Sequence, residues 1–355
     1  MLPLSNYKIH YREQIGSGSF GSVYVAEDPT GSIIAVKKEP ITIRAPQLFN
    51  EVNVYNEIKG GVGIADIKCW GTQGKYNILV MDYLGKSLQD LFNLNPFNLK
   101  TVLMIANQIL CRLEYLHKRN FLHRDVKPDN FLTGRQSKAN ILYMIDFGLS
   151  KKYRDPKTNI HNPIEYGKAL TGSTRFASLN NHSGIEYSRR DDLESLAYIL
   201  IYFMKGKLPW QGIEAANLET LNEKVYHIKK NTQIKQLCYG LPLEFGTFLS
   251  SVRNLEYDEE PKYSDYRKMF IDLMLKFDLC FDGMFTWIRV KAATSIDHIN
   301  RKKVMQTASA HSGIHLKSSK LQLPKIEDKK QRRNSILKMR PKVVIPLQKK
   351  ILLWK

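Results

Sequence analysis

Apolar and polar positions follow two rhythms along this chain. Over residues 7–85 short apolar runs alternate with glycine-containing turns, as at 11–15, 22–26 and Ile34-Ala35-Val36, and the series closes on Ile78-Leu79-Val80-Met81. Runs of this length bounded by turns predict strands. One stretch, residues 46–59, departs from the pattern and predicts a helix. From Ser87 onward apolar residues recur every three or four positions, most regularly over 99–117 and 193–203, as on buried helix faces. The expected class is α+β: a small antiparallel sheet lobe with one helix (7–85), a larger mainly helical lobe (86–289), and a tail of different character (290–355). The longest apolar run, 196–204, is a buried helix candidate and falls short of the ~20 residues of a membrane helix. Met1-Leu2-Pro3-Leu4-Ser5-Asn6 has neither the basic start nor the apolar core of a signal peptide, so a cytosolic protein is expected, with nuclear access open.

Chemistry concentrates in His123-Arg124-Asp125-Val126-Lys127-Pro128-Asp129-Asn130, followed sixteen residues later by Asp146-Phe147-Gly148. A hydroxyl attacking the γ-phosphate of ATP must be aligned and must lose its proton, and the Asp125 carboxylate suits both tasks. Mg²⁺ is a hard ion that takes oxygen ligands, which Asp146 and the Asn130 amide offer. Lys127, two residues past the base, can neutralise charge on the transferring group and points to serine or threonine as acceptor. Upstream, Gly16-Ser17-Gly18-Ser19-Phe20-Gly21 lies between strand-like segments, so its backbone N–H groups can approach phosphates closely. Lys37 ends the strand-like Ile34-Ala35-Val36-Lys37, and Glu51 falls in the predicted helix; a lysine on the α/β-phosphates held by a helix glutamate completes the set.

Each piece has an ordinary reading by itself. A glycine-rich hairpin is often a plain turn, and a lone Lys/Glu pair is usually surface decoration worth about 0–1 kcal/mol. Five such pieces in this order and at this spacing describe the phosphoryl-transfer centre of a protein kinase.

Longer motifs narrow the resemblance. Ser178-Leu179-Asn180 stands where most protein kinases carry Ala-Pro-Glu, followed by His182-Ser183-Gly184-Ile185-Glu186 and Ser188-Arg189-Arg190-Asp191-Asp192-Leu193-Glu194-Ser195. With Leu208-Pro209-Trp210-Gln211-Gly212, Gly60-Gly61-Val62-Gly63-Ile64 and Lys151-Lys152-Tyr153-Arg154-Asp155, the chain resembles the casein kinase 1 family over residues 7–287. The resemblance implies a monomeric, constitutively active serine/threonine kinase using ATP and Mg²⁺ on sites that follow acidic or phosphorylated residues. It makes Met81 the gatekeeper and Asp82, Tyr83 and Leu84 the hinge that reads adenine. Ile15, Val23, Ala35 and Leu132 would sandwich the ring, although each fits plain core equally well. Arg124, Lys151 and Lys168, with Arg175 beside the substrate segment, would bind the substrate's anion.

The chain also departs from that family. Leu218-Glu219-Thr220-Leu221 replaces a cluster of Lys and Arg, Leu221 standing where a lysine would join Arg175 on a phosphate, so weaker dependence on a primed phosphate is expected. Ser173 replaces a threonine that bonds the catalytic Asp and Lys; Ala197 replaces a glycine on the helix whose Asp192 would brace the catalytic loop. Residues 162–167 also depart from the usual sequence. All reacting groups are present, which argues against a scaffold that has lost catalysis.

Composition adds two points. The four cysteines are far apart and the nine histidines show no metal-ligand spacing, so neither a disulfide framework nor a zinc site is expected. Residues 290–355 hold 17 basic and 3 acidic side chains and so carry +14 of the net +20. Low apolar content between Lys291 and Lys320 predicts a largely disordered extension. Such a tail is equally well just solvated or a dock for acidic partners or an anionic membrane, with Ile351-Leu352-Leu353-Trp354 as an apolar foot. Trp354 is its single aromatic residue, which disfavours nucleic acid.

Overall fold

The computed structural model describes residue 4, residues 7–18 and residues 21–288. Ser19 and Phe20 of the glycine-rich turn, and the basic tail, lie outside the described residues. In the first lobe, strands β1 (His10–Gly18), β2 (Gly21–Glu27), β3 (Ile33–Pro40), β4 (Ile67–Gln73) and β5 (Tyr76–Asp82) form one antiparallel sheet in the order β1-β2-β3-β5-β4. The helix α1 (Leu48–Glu57) interrupts them, two residues shorter at each end than the sequence predicts. The two-residue alternation of a strand assigns each side chain its task. Ile34 and Val36 of β3 join Ile78 and Val80 of β5 in a small core covered by Leu4, Tyr7 and Ile9. On the same strands Ala35 pairs with Met81 and Lys37 with Leu79, on the opposite face, where Leu79 and Met81 pack against the main core.

The second lobe contains α2 (Leu88–Leu94), α3 (Leu99–Lys118), α4 (Leu179–His182), α5 (Arg189–Lys205), α6 (Leu218–Asn231), α7 (Ile234–Leu237), α8 (Leu243–Arg253) and α9 (Tyr263–Lys276). Helices α3 and α5 are apolar on most sides because they form the centre of the core, with α9 and α8 packed on them. The end of α5 is set by Gly206, which turns the chain in the left-handed region (φ +83°). Four very short strands were not anticipated: β6 (Phe121–Leu122) pairs with β9 (Lys151–Lys152), and β7 (Phe131–Thr133) with β8 (Leu142–Met144). Runs of two or three residues carry no legible period; tertiary pairing makes them strands, and they fix the loops that hold the charged motifs. Among the described residues no helix is long and apolar enough to cross a membrane.

A knot at Gly63 joins the lobes. Its carbonyl accepts from Met144 N (2.9 Å), while Arg112 Nε donates to Leu142 O (3.1 Å), fixing β8 two residues before Asp146. Gly60 and Gly63 both lie in the left-handed region, at φ +80° and +74°, but a Cβ on Gly60 would meet open space and one on Gly63 would overlap Leu142 O and the Arg112 guanidinium. Gly60→Ala should therefore cost about 1 kcal/mol and Gly63→Ala more than about 3 kcal/mol in urea unfolding, since only the latter adds steric overlap to backbone strain. Equal losses at the two positions would show that the packing at Gly63 contributes nothing.

Candidate active site

Three segments meet at the Lys37 ammonium. It lies 2.6 Å from Glu51 Oε2 on α1 and 2.8 Å from Asp146 Oδ1. Burial works against charge at Lys37, but the two carboxylates outweigh it and hold its pKa above the ordinary value. At Asp146 burial is likewise opposed and overcome, chiefly by Lys37, leaving the carboxyl below its usual range. Glu51 is 1% exposed, and burial pushes its carboxyl up against the pull of Lys37. Asp146 adopts φ +66°, a strained conformation for a residue with a side chain. Its neighbours hold it there: Phe147 is fully buried edge-on against Tyr55, and Asn50 Nδ2 donates to Gly148 O (3.0 Å) and Ser150 O (2.9 Å). Asn50 was missed in the sequence, where it belongs to no motif.

The catalytic-loop motif follows β6. Arg124 is also left-handed (φ +69°), and the buried Asp192 carboxylate at the start of α5 makes this tenable by accepting from His123 N (2.8 Å) and Arg124 N (2.9 Å). His117 Nε2 and Tyr187 Oη complete its shell at 2.9 Å each. Burial would raise the Asp192 carboxyl; these bonds, His117 foremost, bring it below its ordinary value. His123 packs against Phe147 and places Nε2 3.0 Å from Ile145 O.

Asp125 is held at both oxygens. Ser173 gives its N–H (2.9 Å) and its hydroxyl (2.8 Å) to Oδ1, and Lys127 Nζ lies 2.6 Å from Oδ2. Ser173 thus reaches the aspartate as expected and meets Lys127 through it. Asn130 Nδ2 donates to Asp125 O (2.9 Å), which commits the NH₂ end of this amide and leaves its oxygen for a ligand. Asn130 and Asp146 are hard oxygen donors that fit Mg²⁺. No three or more His, Cys, Asp or Glu side chains cluster to hold a metal among the described residues, so nucleotide phosphates would have to complete the shell.

The described residues expected around the nucleotide lie on β1, β2, β3, α1, β5, β7 and the segment that follows β5. Ile15, Gly16, Ser17 and Gly18 end β1, with Gly16 paired to Val23 and Gly18 to Gly21. Gly21, at φ +148°, passes so close to Lys38 O that a Cβ would overlap it. Ile15 is left 48% exposed, Ala35 and Leu84 are buried, and Leu132 lies on β7, tied to the hinge by Gly85 N to Thr133 O (2.7 Å) and Thr133 N to Lys86 O (3.0 Å). The Asp82 carboxylate is occupied by Lys68 (2.7 Å) and Asp66 N (3.0 Å), and its own backbone N–H donates to Asp66 O (3.1 Å).

Arg124, Lys151 and Lys168 line a cavity of about 270 Å³ with Thr171, Asn181 and Glu186. Arg175 is not among them: its guanidinium stacks over Phe176 and Tyr202, 5.0 and 5.6 Å from the ring centroids. Two carboxylates enter this cation group that the sequence reading did not count. Glu186 lies 3.0 Å from Lys151 and 3.8 Å from Lys168, and Glu165 pairs with Lys168. The hydrogen bond that Lys168 donates to Glu165, and the negative charge of that carboxylate, raise the Lys168 pKa. Glu165, three residues before Lys168, is visible in the sequence as a potential partner.

A sheet lobe, a helical lobe, and a lysine-carboxylate triad beside a braced aspartate define a phosphotransferase that uses a nucleoside triphosphate. The family model for the protein kinase domain matches residues 9–279, and the chain belongs to that family. The domain implies ATP, a divalent metal ion and protein substrates.

Because the Asp146 carboxyl is depressed in the fold, its contribution to stability is present above the ordinary value of 3.8 and is lost as pH falls through its lower folded value. Thermal unfolding from about pH 5 to about pH 2 should therefore show a steeper loss for the wild type than for Asp146→Asn. Parallel curves would count against the Lys37–Asp146 pair as a source of acid sensitivity.

Proposed function

We propose that this protein is a serine/threonine kinase of the casein kinase 1 type that transfers the γ-phosphate of MgATP to protein hydroxyls. The observation that carries the reading is the paired restraint of Asp125, by Ser173 on one oxygen and Lys127 on the other, in a chain that also holds Lys37 between Glu51 and Asp146. Asp125 orients the acceptor hydroxyl and takes its proton as the new oxygen–phosphorus bond forms and ADP leaves. Lys127 balances charge on the transferred group, and Lys37 anchors the α/β-phosphates. Asn130 and Asp146 would hold Mg²⁺, which supplies charge neutralisation at the phosphate oxygens. The lysine two residues after the base supports serine or threonine as acceptor. The long motifs around Ser178 and Asp192 support the casein kinase 1 type; Ser178 Oγ donates to Asp191 (2.5 Å) and accepts from Asn181 N (3.0 Å), linking α4 to α5.

The substrate preference is for acidic segments with reduced need for a priming phosphate. Glu165 and Glu186 already compensate Lys168 and Lys151, so an incoming phosphate must displace a carboxylate, and Leu221 supplies no charge where the resembling family carries a lysine.

Transfer of radiolabelled phosphate from ATP to casein and to an acidic serine peptide should be readily measured, and should fall by at least about 10³-fold in Asp125→Asn and in Asp146→Asn. Full activity in either variant would remove the assigned role. For matched peptides differing in one upstream phosphoserine, kcat/KM should differ by less than about 10-fold, about 1.4 kcal/mol. A much larger ratio would refute the reduced-priming reading.

A further inference from the structure

Lys229, on α6, is 0% exposed and has no carboxylate in contact among the described residues. Its Nζ lies 2.8 Å from Thr174 O, 2.6 Å from Ala177 O and 3.1 Å from His182 Nε2. The rings of Tyr198 and Trp210 flank it at 5.1 and 5.2 Å. Leaving a lysine head group here is unfavourable without strong local bonding, since burial drives its pKa well down. Burial, then the neighbouring amine, push His182 down to about 3, so the imidazole is neutral. In either protonation state the amine keeps the two N–H groups that the carbonyls take, while His182 Nε2 accepts from the ammonium or donates to the free amine.

Those two carbonyls bracket one turn. Phe176 N and Ala177 N both donate to Ser173 O at 3.0 Å, and Trp210 Nε1 donates to Arg175 O at 2.8 Å. The carbonyls of Thr174 and Ala177 are therefore fixed by Lys229 of α6 and that of Arg175 by Trp210, while Ser173, at the head of the turn, makes two bonds to Asp125. We propose that Lys229 is a positioning residue for phosphoryl transfer, holding the 173–177 turn so that Ser173 orients Asp125 and the turn presents a fixed edge to the peptide substrate. This rests on the reading of Asp125 as the base; the bonding of the turn itself does not.

The test compares Lys229→Met, which removes the donors at similar length, with Ser173→Ala and the double variant. Active-site titration by ATP binding corrects for folded molecules. Lys229→Met should lower kcat/KM for a serine peptide at least about 10-fold while KM for ATP stays within about 2-fold. Its effect should be less than multiplicative with Ser173→Ala, because both act through the same aspartate. Multiplicative losses, an equal rise in KM for ATP, or a loss explained by fewer folded molecules would overturn the proposal. Should Lys229→Met fail to fold, Lys229→Gln replaces it. A second measurement needs no activity: in the wild type the Phe176 and Ala177 amides should resist hydrogen exchange as well as the Asp125 loop does, and fast exchange there would refute the clamp. A wild-type protein that transfers no phosphate would sink the kinase reading, whereas slow exchange in it would leave the clamp standing.

Discussion

The buried carboxylate of Asp192 is the constraint on which the catalytic arrangement depends. A helix that forms the middle of a hydrophobic core has few places for charge, and α5 spends one of them at its first turn. Four donors converge on that carboxylate, two of them backbone N–H groups of the loop carrying Asp125. Without them Arg124 would relax from its left-handed conformation, and the loop would lose its definition relative to the core. Desolvation makes the interaction demanding, and the completeness of the shell makes it favourable. The rigid part of the molecule thus transmits its order to the reacting part through one side chain.

Charge is handled oppositely in the two basic regions. At Lys37 two carboxylates from separate elements converge on one ammonium, and the residual negative charge suits a site that must receive metal-bound phosphate. In the cavity beside Arg124, exposed lysines meet Glu165 and Glu186, so the field offered to an incoming anion is weakened by the protein itself. Screening by solvent limits each of these outer pairs, and their effect lies in competition for a ligand more than in stability. A side-chain inventory that counts cations overstates such a pocket.

Much of this molecule is legible in one dimension. Strand alternation sends Lys37 and Ala35 to one face of β3 and Ile34 and Val36 to the other, and the period of α3 and α5 marks them as core helices, because local geometry fixes which side chains share a face. The reacting groups are legible for a related reason: chemistry demands particular functional groups, and Asp125, Lys127 and Asn130 sit within one loop at short spacing. The pairing of Lys37 with Glu51 was accessible from order along the chain, whereas its equal engagement with Asp146, 109 residues away, is a matter of distance in space. Other contacts left no trace in the pattern. Asn50 on the Gly148 segment, the carboxylate of Glu186 among the lysines, the stacking of Arg175 on Tyr202 away from them, and Lys229 beneath the 173–177 turn all join segments that are remote or irregular. Their partners are mostly backbone carbonyls, which every residue possesses, or charges whose nearest neighbour depends on how loops cross. A periodic pattern encodes the face a residue turns to the core; it does not encode which carbonyl waits there, and that is settled when the helices and loops pack.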